Sequence, residues 1–327
     1  METTAEARIV RIRRWLKNEA FEVWCLYRPI LEQVLRGWQA EEAVIILDGV
    51  MVFGDRLQIF RLSLEHGCRA IPLGWVVLEG KGLTQVEKLK AMLEQVADFL
   101  KPRVREVVFL ADRGFRDCDW ANLCQKLGWE YVIRLASNTF VTLESGSQLA
   151  IQDLGVQVGM CEYFQNVKVT QAEKLQGNLS VTWTNRNRGK EVELLAIISN
   201  RTAEKARLDE YARRMRIEES FRDDQSGGFD LEHTRLEHPD RLEKLLLAVA
   251  IATLWCHEIG EQVLQNQALQ IELDPGGKKR ELSIFQLGLR FLKRCIAVYL
   301  HRLPNFNLLL TNFLIQPVFP RLPKKCQ

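Results

Sequence analysis

Residues Tyr211–Gln225 read Tyr-Ala-Arg-Arg-Met-Arg-Ile-Glu-Glu-Ser-Phe-Arg-Asp-Asp-Gln. The stretch contains no Gly, no Pro and no β-branched run, so it is expected to be helical. At 3.6 residues per turn, Tyr211, Arg214, Glu218, Arg222 and Gln225 fall within roughly 80° of arc. One face then carries a phenol, two guanidiniums, a carboxylate and an amide. Such a face suits a core poorly and suits a metal ion and a nucleic-acid phosphate well. The plainer alternative is a solvated face. Glu218 lies four residues from both Arg214 and Arg222, and pairs at that spacing stabilise an exposed helix by a few tenths of a kcal/mol with no function attached.

Two aspartates stand where they could join Glu218. Asp48 closes the apolar run Ala43-Val-Ile-Ile-Leu-Asp, which is expected to be a strand buried on both sides with the acid at its end. Taken alone, Asp48-Gly49 is equally a two-residue hairpin signal. Asp112 closes a second apolar run, Glu106–Asp112, within Phe109-Leu-Ala-Asp-Arg-Gly-Phe115. An Asp at a loop entry often only bonds its own backbone.

The elements that must position these acids follow from periodicity. Residues 5–38 read as two helices with Trp15, Trp24 and Trp38 on apolar faces, and strands are expected at 43–48, 57–64 and 71–78, with His66 and Gly67 in the turn between the last two. An amphipathic helix at 84–101, the strand ending at Asp112, a helix at 117–128 and a strand at 130–135 come next. Short alternating stretches at Gly177–Thr184 and Glu191–Ile198, punctuated by Gly and Asn, read as inserted strands. The Tyr/Arg/Glu helix begins near Ala203, and long helices at 239–266 and 282–299 flank the turn that starts at Asp274-Pro275.

Three antiparallel strands followed by alternating helices and strands is the order of an RNase H-like sheet. The expected fold is therefore α/β: an RNase H-like mixed sheet flanked by helices, with an inserted β-rich subdomain and a helical C-terminus. The expected divisions are an N-terminal helical segment (1–40), the first part of the core (41–135), the insertion (136–200), the helix completing the core (201–235) and a helical C-terminal region (236–327). In such a sheet the first and fourth strands are neighbours, which would put Asp48 and Asp112 a few Å apart. Carboxylates that close repel unless a cation lies between them or one takes a proton. Hard oxygen ligands favour Mg²⁺ or Mn²⁺. Glu218, arriving on its helix, would complete a site for two ions roughly 3.5–4 Å apart, able to activate an attacking oxygen and steady a leaving one in phosphodiester cleavage.

Composition sets the outer bounds. The chain has 327 residues and 47% apolar content, enough for a real core. Its longest apolar candidate, Leu245–Cys256, is shorter than the roughly 20 residues of a membrane span, and the N-terminus lacks the apolar centre of a signal peptide, so a cytoplasmic protein is expected. The eight cysteines show no Cys-x-x-Cys and no zinc-site spacing, which favours reduced thiols. Net charge is only +3, but basic residues cluster: Arg8, Arg11, Arg13, Arg14 and Lys17, and again Lys278, Lys279, Arg280, Arg290, Lys293, Arg294 and Arg302. Such patches suit a polyanionic partner.

These motifs together resemble a known family. Ile46-Leu-Asp-Gly, Phe109-Leu-Ala-Asp-Arg-Gly-Phe, Tyr131-Val-Ile-Arg-Leu and Tyr211-x-x-Arg-x-x-x-Glu, with the tail Ser283-Ile-Phe-Gln-Leu-Gly-Leu-Arg, look like a bacterial insertion-sequence transposase of the DDE type, in the group with a strand-rich insertion before the final Glu. The Tyr/Arg/Glu helix is the specific motif; the two Asp motifs support it. The resemblance implies that Asp48, Asp112 and Glu218 are a metal-binding catalytic triad for two Mg²⁺ or Mn²⁺ ions, and that Tyr211 and Arg214 contact phosphates near a transposon end. It further implies DNA partners (terminal inverted repeats and target), a homodimer on DNA, and water attack at a transposon end freeing a 3′-OH that attacks the opposite strand or the target. The family pattern has a Lys where this chain has Gln225, an amide that can donate to phosphate but lacks fixed charge; Arg222, one turn earlier, is the expected substitute. The segment ahead of the first strand is shorter than in many relatives. Relatives that form DNA hairpins stack a flipped base on an aromatic of the insertion, which would be Trp183; the alternative for Trp183 is plain β-core. Arg134 is expected either on DNA backbone or in a surface ion pair. The rival readings are an RNase H-like nuclease or resolvase without strand transfer, and a weakened, transposase-derived DNA-binding protein, which Gln225 favours.

Overall fold

The computed structural model of the protein describes residues 4–20, 22–66, 69–82, 85–116, 118–169, 175–186, 191–276 and 280–298. The chain forms two compact units: one built from Ala40–Arg222 and Leu231–Pro239, the other from the described parts of 1–39, 223–230 and 240–327.

The second of these opens the chain with helices α1 (Ala5–Leu16) and α2 (Val23–Val34). The sheet unit then runs β1 (Ala40–Val52), β2 (Leu57–His66), β3 (Arg69–Glu79), α3 (Val86–Leu100), β4 (Val104–Ala111), α4 (Cys118–Leu127) and β5 (Glu130–Leu135). It continues through β6 (Phe140–Thr142), β7 (Gln148–Ala150), β8 (Cys161–Val169), β9 (Leu175–Arg186) and β10 (Glu191–Ser199) to α5 (Lys205–Ala212) and α6 (Met215–Asp224), whose last turn passes out of the unit after Arg222.

Among the described residues, ten strands form one sheet in the order β3-β2-β1-β4-β5-β10-β9-β8-β6-β7. The meander β1–β3 is antiparallel, β4 lies parallel to both β1 and β5, and β10 returns antiparallel to β5. This is the RNase H-like mixed sheet that the element order predicts, with the first and fourth strands side by side. The inserted strands extend that same sheet, because the outer edge of β5 offers an unpaired ladder that β10 takes up. The short strands β6 and β7 and the strand β8 fall inside the β-rich insertion expected at 136–200, where the sequence predicts no individual strand at their positions.

One face of the central strands presents Val44, Ile46, Val108, Leu110, Val132 and Ile197, and packs against Leu208, Tyr211, Ile217 and Phe221 of α5 and α6. The other face receives α3, where Gly74 leaves room for Met92 and Val96. Burial on both faces explains why β1 and β4 read as continuous apolar runs.

The helix expected to run unbroken through Tyr211–Gln225 is two helices. Between them the backbone tightens to three-residue spacing: the N–H groups of Arg213, Arg214, Arg216 and Ile217 donate to the carbonyls of Glu210, Tyr211, Arg213 and Arg214. Local propensity favours continuation here. The break coincides with three arginines whose guanidiniums reach down to acids of the sheet, Arg213 and Arg216 to Glu65 and Arg214 to Asp48.

In the helical unit, α7 (Pro239–Leu264), α8 (Gln267–Leu273) and α9 (Ile284–Val298) enclose Cys256, Ile259, Val263, Phe285, Leu287 and Leu292. A side chain at Gly288 would strike the Cys256 carbonyl, so that close crossing of α7 and α9 requires glycine. The Asp274 carboxylate accepts from the N–H groups of Glu281 (2.9 Å) and Leu282 (3.1 Å), closing the link into α9. Of the C-terminal basic residues, Arg294 pairs with Glu272 and Arg290 donates to the Leu273 carbonyl, while Lys278, Lys279 and Arg302 lie outside the described residues, as do Gly67 and two of the cysteines, Cys68 and Cys326. Among the described residues no helix is long and apolar enough to cross a membrane.

Candidate functional site

Parallel pairing of β1 with β4 ends at Leu47 and Ala111. Asp48 and Asp112 are the next residue on each chain, so the ladder itself sets them side by side. Strand alternation turns Asp48 the same way as Ile46, and Asp112 the same way as Leu110, toward the face covered by α5 and α6. Two details differ from expectation. Asp48 does not end its strand: β1 continues to Val52, paired with β2, and Asp48 stands opposite Arg61. Nor is Asp48-Gly49 the hairpin, which forms further on, where Phe53, Gly54 and Asp55 all have positive φ.

Asp112 also plays the local part of a loop-entry acid. Its Oδ1 accepts from the Gly114 N–H at 2.8 Å and caps a 3₁₀ turn over Arg113–Phe115. A Cβ on Gly114 would lie 2.9 Å from that oxygen, so glycine lets the carboxylate stay where it is. Phe115 pins the turn edge-on to Phe60 and Trp120, at ring distances of 6.0 and 5.4 Å.

Glu218 is set by the docking of α6. Ser220 Oγ donates to the Ala70 carbonyl (2.8 Å) and accepts from the Ala70 N–H (3.3 Å), tying the helix to β3. Ile217 and Phe221 enter the core on either side. Glu218 itself sits at the rim, its side chain 43% exposed. Arg214, only 11% exposed in the turn between α5 and α6, joins the set: one Nη bonds Asp48, the other bonds Glu218 Oε1 at 2.8 Å. Its guanidinium carbon lies 5.7 Å from the centre of the buried Tyr211 ring.

The electrostatics follow from this proximity. Burial pushes the Asp48 carboxyl up to about 6; Arg214 and the Gly49 N–H work against that rise, while Asp112 and Glu218 add to it. Burial likewise raises the Tyr211 phenol, opposed by Arg214 and Arg134 and assisted by Asp112. Asp48, Asp112, Glu218, Tyr211 and Arg214 thus share one locality.

Other predicted contacts fall elsewhere. Arg222 pairs with Glu219 at 3.0 Å and is largely exposed; of the two arginines spaced four from Glu218, only Arg214 engages it. Gln225 lies beyond the unit boundary, its carbonyl taken by the N–H groups of Gly228 and Asp230. Trp183 shares its side of the sheet with Leu194 and Ala196, the side opposite Asp48 and Asp112, and its indole N–H donates to the Val156 carbonyl at 2.7 Å. Arg134, on the same face as Asp112, pairs with Glu193, which Arg113 also reaches at 3.5 Å. Sequence reasoning missed Arg61, a buried cation opposite Asp48 whose guanidinium lies 5.0 Å from the Phe221 ring centre. The one available signal was a lone charge inside an apolar strand.

Against known proteins, the family described as the transposase DDE domain matches residues 83–255, more than half of the chain. The chain belongs to the DDE transposase family. The matched segment contains Asp112, Tyr211, Arg214 and Glu218; Asp48 precedes it. Among proteins with curated descriptions none matches. Solved structures with some likeness include a piggyBac transposase synaptic complex with hairpin DNA (9% identity, TM-score 0.42, covering 98% of this chain and 67% of that one). Another is the Argonaute of Marinitoga piezophila with guide RNA and target DNA (10% identity, TM-score 0.26, covering 57% and 26%). The transposase-family chain thus spans about a quarter of the Argonaute chain it matches.

Whether this transposase-family site suits divalent cations can be asked of its donors. As they stand, no three acid, His or Cys side chains among the described residues are close enough to hold an ion. The donor chemistry nonetheless fits: three hard carboxylates on β1, after β4 and on α6, two of which already share one cationic group. Asp48 is under repulsion from both of the others, the condition that a cation relieves.

Proposed function

We propose that this DDE transposase-family chain cleaves DNA at transposon ends and joins the freed 3′-OH to a second strand, with Asp48, Asp112 and Glu218 as its catalytic carboxylates. The observation that carries this reading is the β1–β4 register, which sets Asp48 beside Asp112, together with a single guanidinium linking Asp48 to Glu218. These carboxylates would hold Mg²⁺ or Mn²⁺, which when bound supply Lewis-acid activation of the attacking oxygen and charge relief on the leaving one. The chain's own residues supply the rest. Asp112, fixed by its capped turn, and Asp48, fixed inside a paired strand, give the site rigid walls. Glu218 approaches from α6 and can adjust, being half exposed. Tyr211 offers a phenol O–H, and Arg214 a forked donor, to a backbone phosphate. The exposed basic face of α1, with Arg11, Arg13 and Arg14, suits a polyanion such as DNA, and a homodimer on DNA belongs to the same reading.

The test is Glu218→Gln. DNA binding by mobility shift should stay within about twofold, while metal-dependent nicking falls on the order of 10³-fold or more. Nicking at the wild-type rate would overturn the assignment. Supplying paired transposon ends and looking for joined products separates a transposase from a nuclease, and no metal-dependent nicking by the wild type would favour a DNA-binding descendant.

A further inference from the structure

Arg214 occupies the place where a cation belongs, and that has a consequence for binding. Its two Nη groups hold Asp48 and Glu218, the acids from β1 and α6 that would have to turn to a metal ion. A guanidinium bridging these two acids and a divalent cation bound between them would be like charges at close range, so each disfavours the other. Three features equip Arg214 to leave. It stands in the tight turn between α5 and α6, outside either helix body. Its Nε–H is buried without a hydrogen-bond partner, so the pose it adopts leaves one of its five donors unspent. The Tyr211 ring beside it offers a surface over which the guanidinium can move while still in contact. Of the other cations on this face, Arg134 is engaged by Glu193 and Arg61 lies against the Phe221 ring.

Resting on the function proposed above, we infer that Arg214 is a two-position group: without ligands it bridges Asp48 and Glu218, and when the site fills it gives up both carboxylates and turns its donors to a DNA phosphate. Cation binding then frees the phosphate clamp, and phosphate binding draws the clamp off the carboxylates. Each ligand raises the affinity for the other by the same factor. Acids that look closed to metal are closed by the residue that will later hold DNA, so the unliganded protein holds its metal weakly.

The experiment measures Mn²⁺ binding to the full chain from the loss of the free-ion paramagnetic resonance signal, with and without a short duplex of mixed sequence. Wild type should bind Mn²⁺ about fivefold or more tightly with duplex present. Arg214→Gln should bind Mn²⁺ more tightly than wild type without duplex and should lose the dependence on duplex. Arg214→Lys, whose single ammonium cannot bridge two carboxylates, should lie between, and it stands in if the Gln variant does not fold. Asp48→Asn serves as the control and should bind Mn²⁺ less tightly than wild type. If the control loses Mn²⁺ while neither Arg214 variant gains it, the inference falls and the carboxylate site stands. If the control binds as wild type does, the site itself falls and the inference with it.

Discussion

Under α5 and α6 the sheet carries acids at both ends of β1 and β4. At the amino ends Glu42 stands beside Glu106 in the parallel ladder, with Glu130 at the start of the next strand. At the carboxyl ends Asp48 stands beside Asp112. The amino-end acids are closed within the chain. Arg201 pairs with Glu42, Glu106, Glu130 and Glu210, Arg207 adds a second contact to Glu210 at 2.9 Å, and Arg213 adds one to Glu42 at 3.4 Å. The charges acting on Glu210 are mostly cations, so burial raises its carboxyl against three opposing arginines. At the other end two of the charges acting on Asp48 are themselves acids, and Arg214 is the cation that opposes them. Adjacent acids on parallel strands are thus tolerated in two ways: by arginines built into the fold, or by leaving a charge deficit for a ligand to fill. The deficit lies at the carboxyl edge of the strands, where loops and α6 leave Glu218 open to solvent.

Removing the counter-charge at the amino end should have the largest effect on stability. Arg201→Met takes that cation from Glu106 and Glu130 and leaves Glu42 and Glu210 to Arg213 and Arg207, and should lower unfolding free energy by about 3 kcal/mol, read from the urea midpoint. A loss below about 1 kcal/mol would mean that the amino-end cluster is not closed by Arg201 and that the contrast between the ends is false. Next in size is a pH effect confined to the carboxyl end. Asp48 titrates at about 6 in the folded chain and near 4 when unfolded. Between those values the folded state carries the extra proton. Its stabilising contribution is therefore full below about pH 4 and is lost as pH rises through about 6, by roughly 2–3 kcal/mol. Asp48→Asn should remove that part of the slope, so the difference between wild-type and variant unfolding curves should grow from pH 4 to pH 7. Parallel curves would show that Asp48 is not held above its ordinary value by burial and its acidic neighbours.

The strands flanking this contrast were legible because their physics is local. Continuous apolar runs at 43–48 and 106–111 report burial on both faces, and the order of elements was enough to place β1 next to β4 and hence Asp48 next to Asp112. What stayed hidden depends on partners far along the chain. The run at 43–48 stops at Asp48, yet β1 goes on through Gly49-Val50-Met51-Val52 because β2 supplies the opposite ladder. The sequence around Arg213 and Arg214 favours helix, and the break there follows ion pairs to Glu65 and Asp48, more than 140 residues away in sequence. Assuming one continuous helix put Arg222 and Gln225 on the site's face; the real pair of helices keeps Arg214 there and sends Arg222 to Glu219. Trp183 was singled out through the resemblance to relatives with an aromatic in the insertion, and a strand's period of two decides which side it faces. The triplets β6 and β7 are too short to show a period at all.

Smaller effects probe whether α6 is held by the sheet independently of the charges around it. Ser220→Ala removes both bonds to Ala70 and leaves that N–H and carbonyl buried, so it should cost about 1 kcal/mol with the pH slope unchanged. A change in the slope would mean that the position of α6 sets the repulsion on Asp48, and that the carboxyl-end deficit is a matter of helix placement more than of residue type. Smallest of all should be Arg222→Ala. Its guanidinium is 64% exposed and its partner Glu219 also has Arg69 at 3.6 Å, so stability should stay within about 0.5 kcal/mol. Duplex-dependent Mn²⁺ binding should also be unaltered, because Arg222 neither bridges the carboxylates nor lies in the turn that can release a guanidinium. If Arg222→Ala instead weakened that coupling as strongly as a change at Arg214, the cations of α6 would act as one field. The division between an end closed by its own arginines and an end held by a single movable one would then have to be given up.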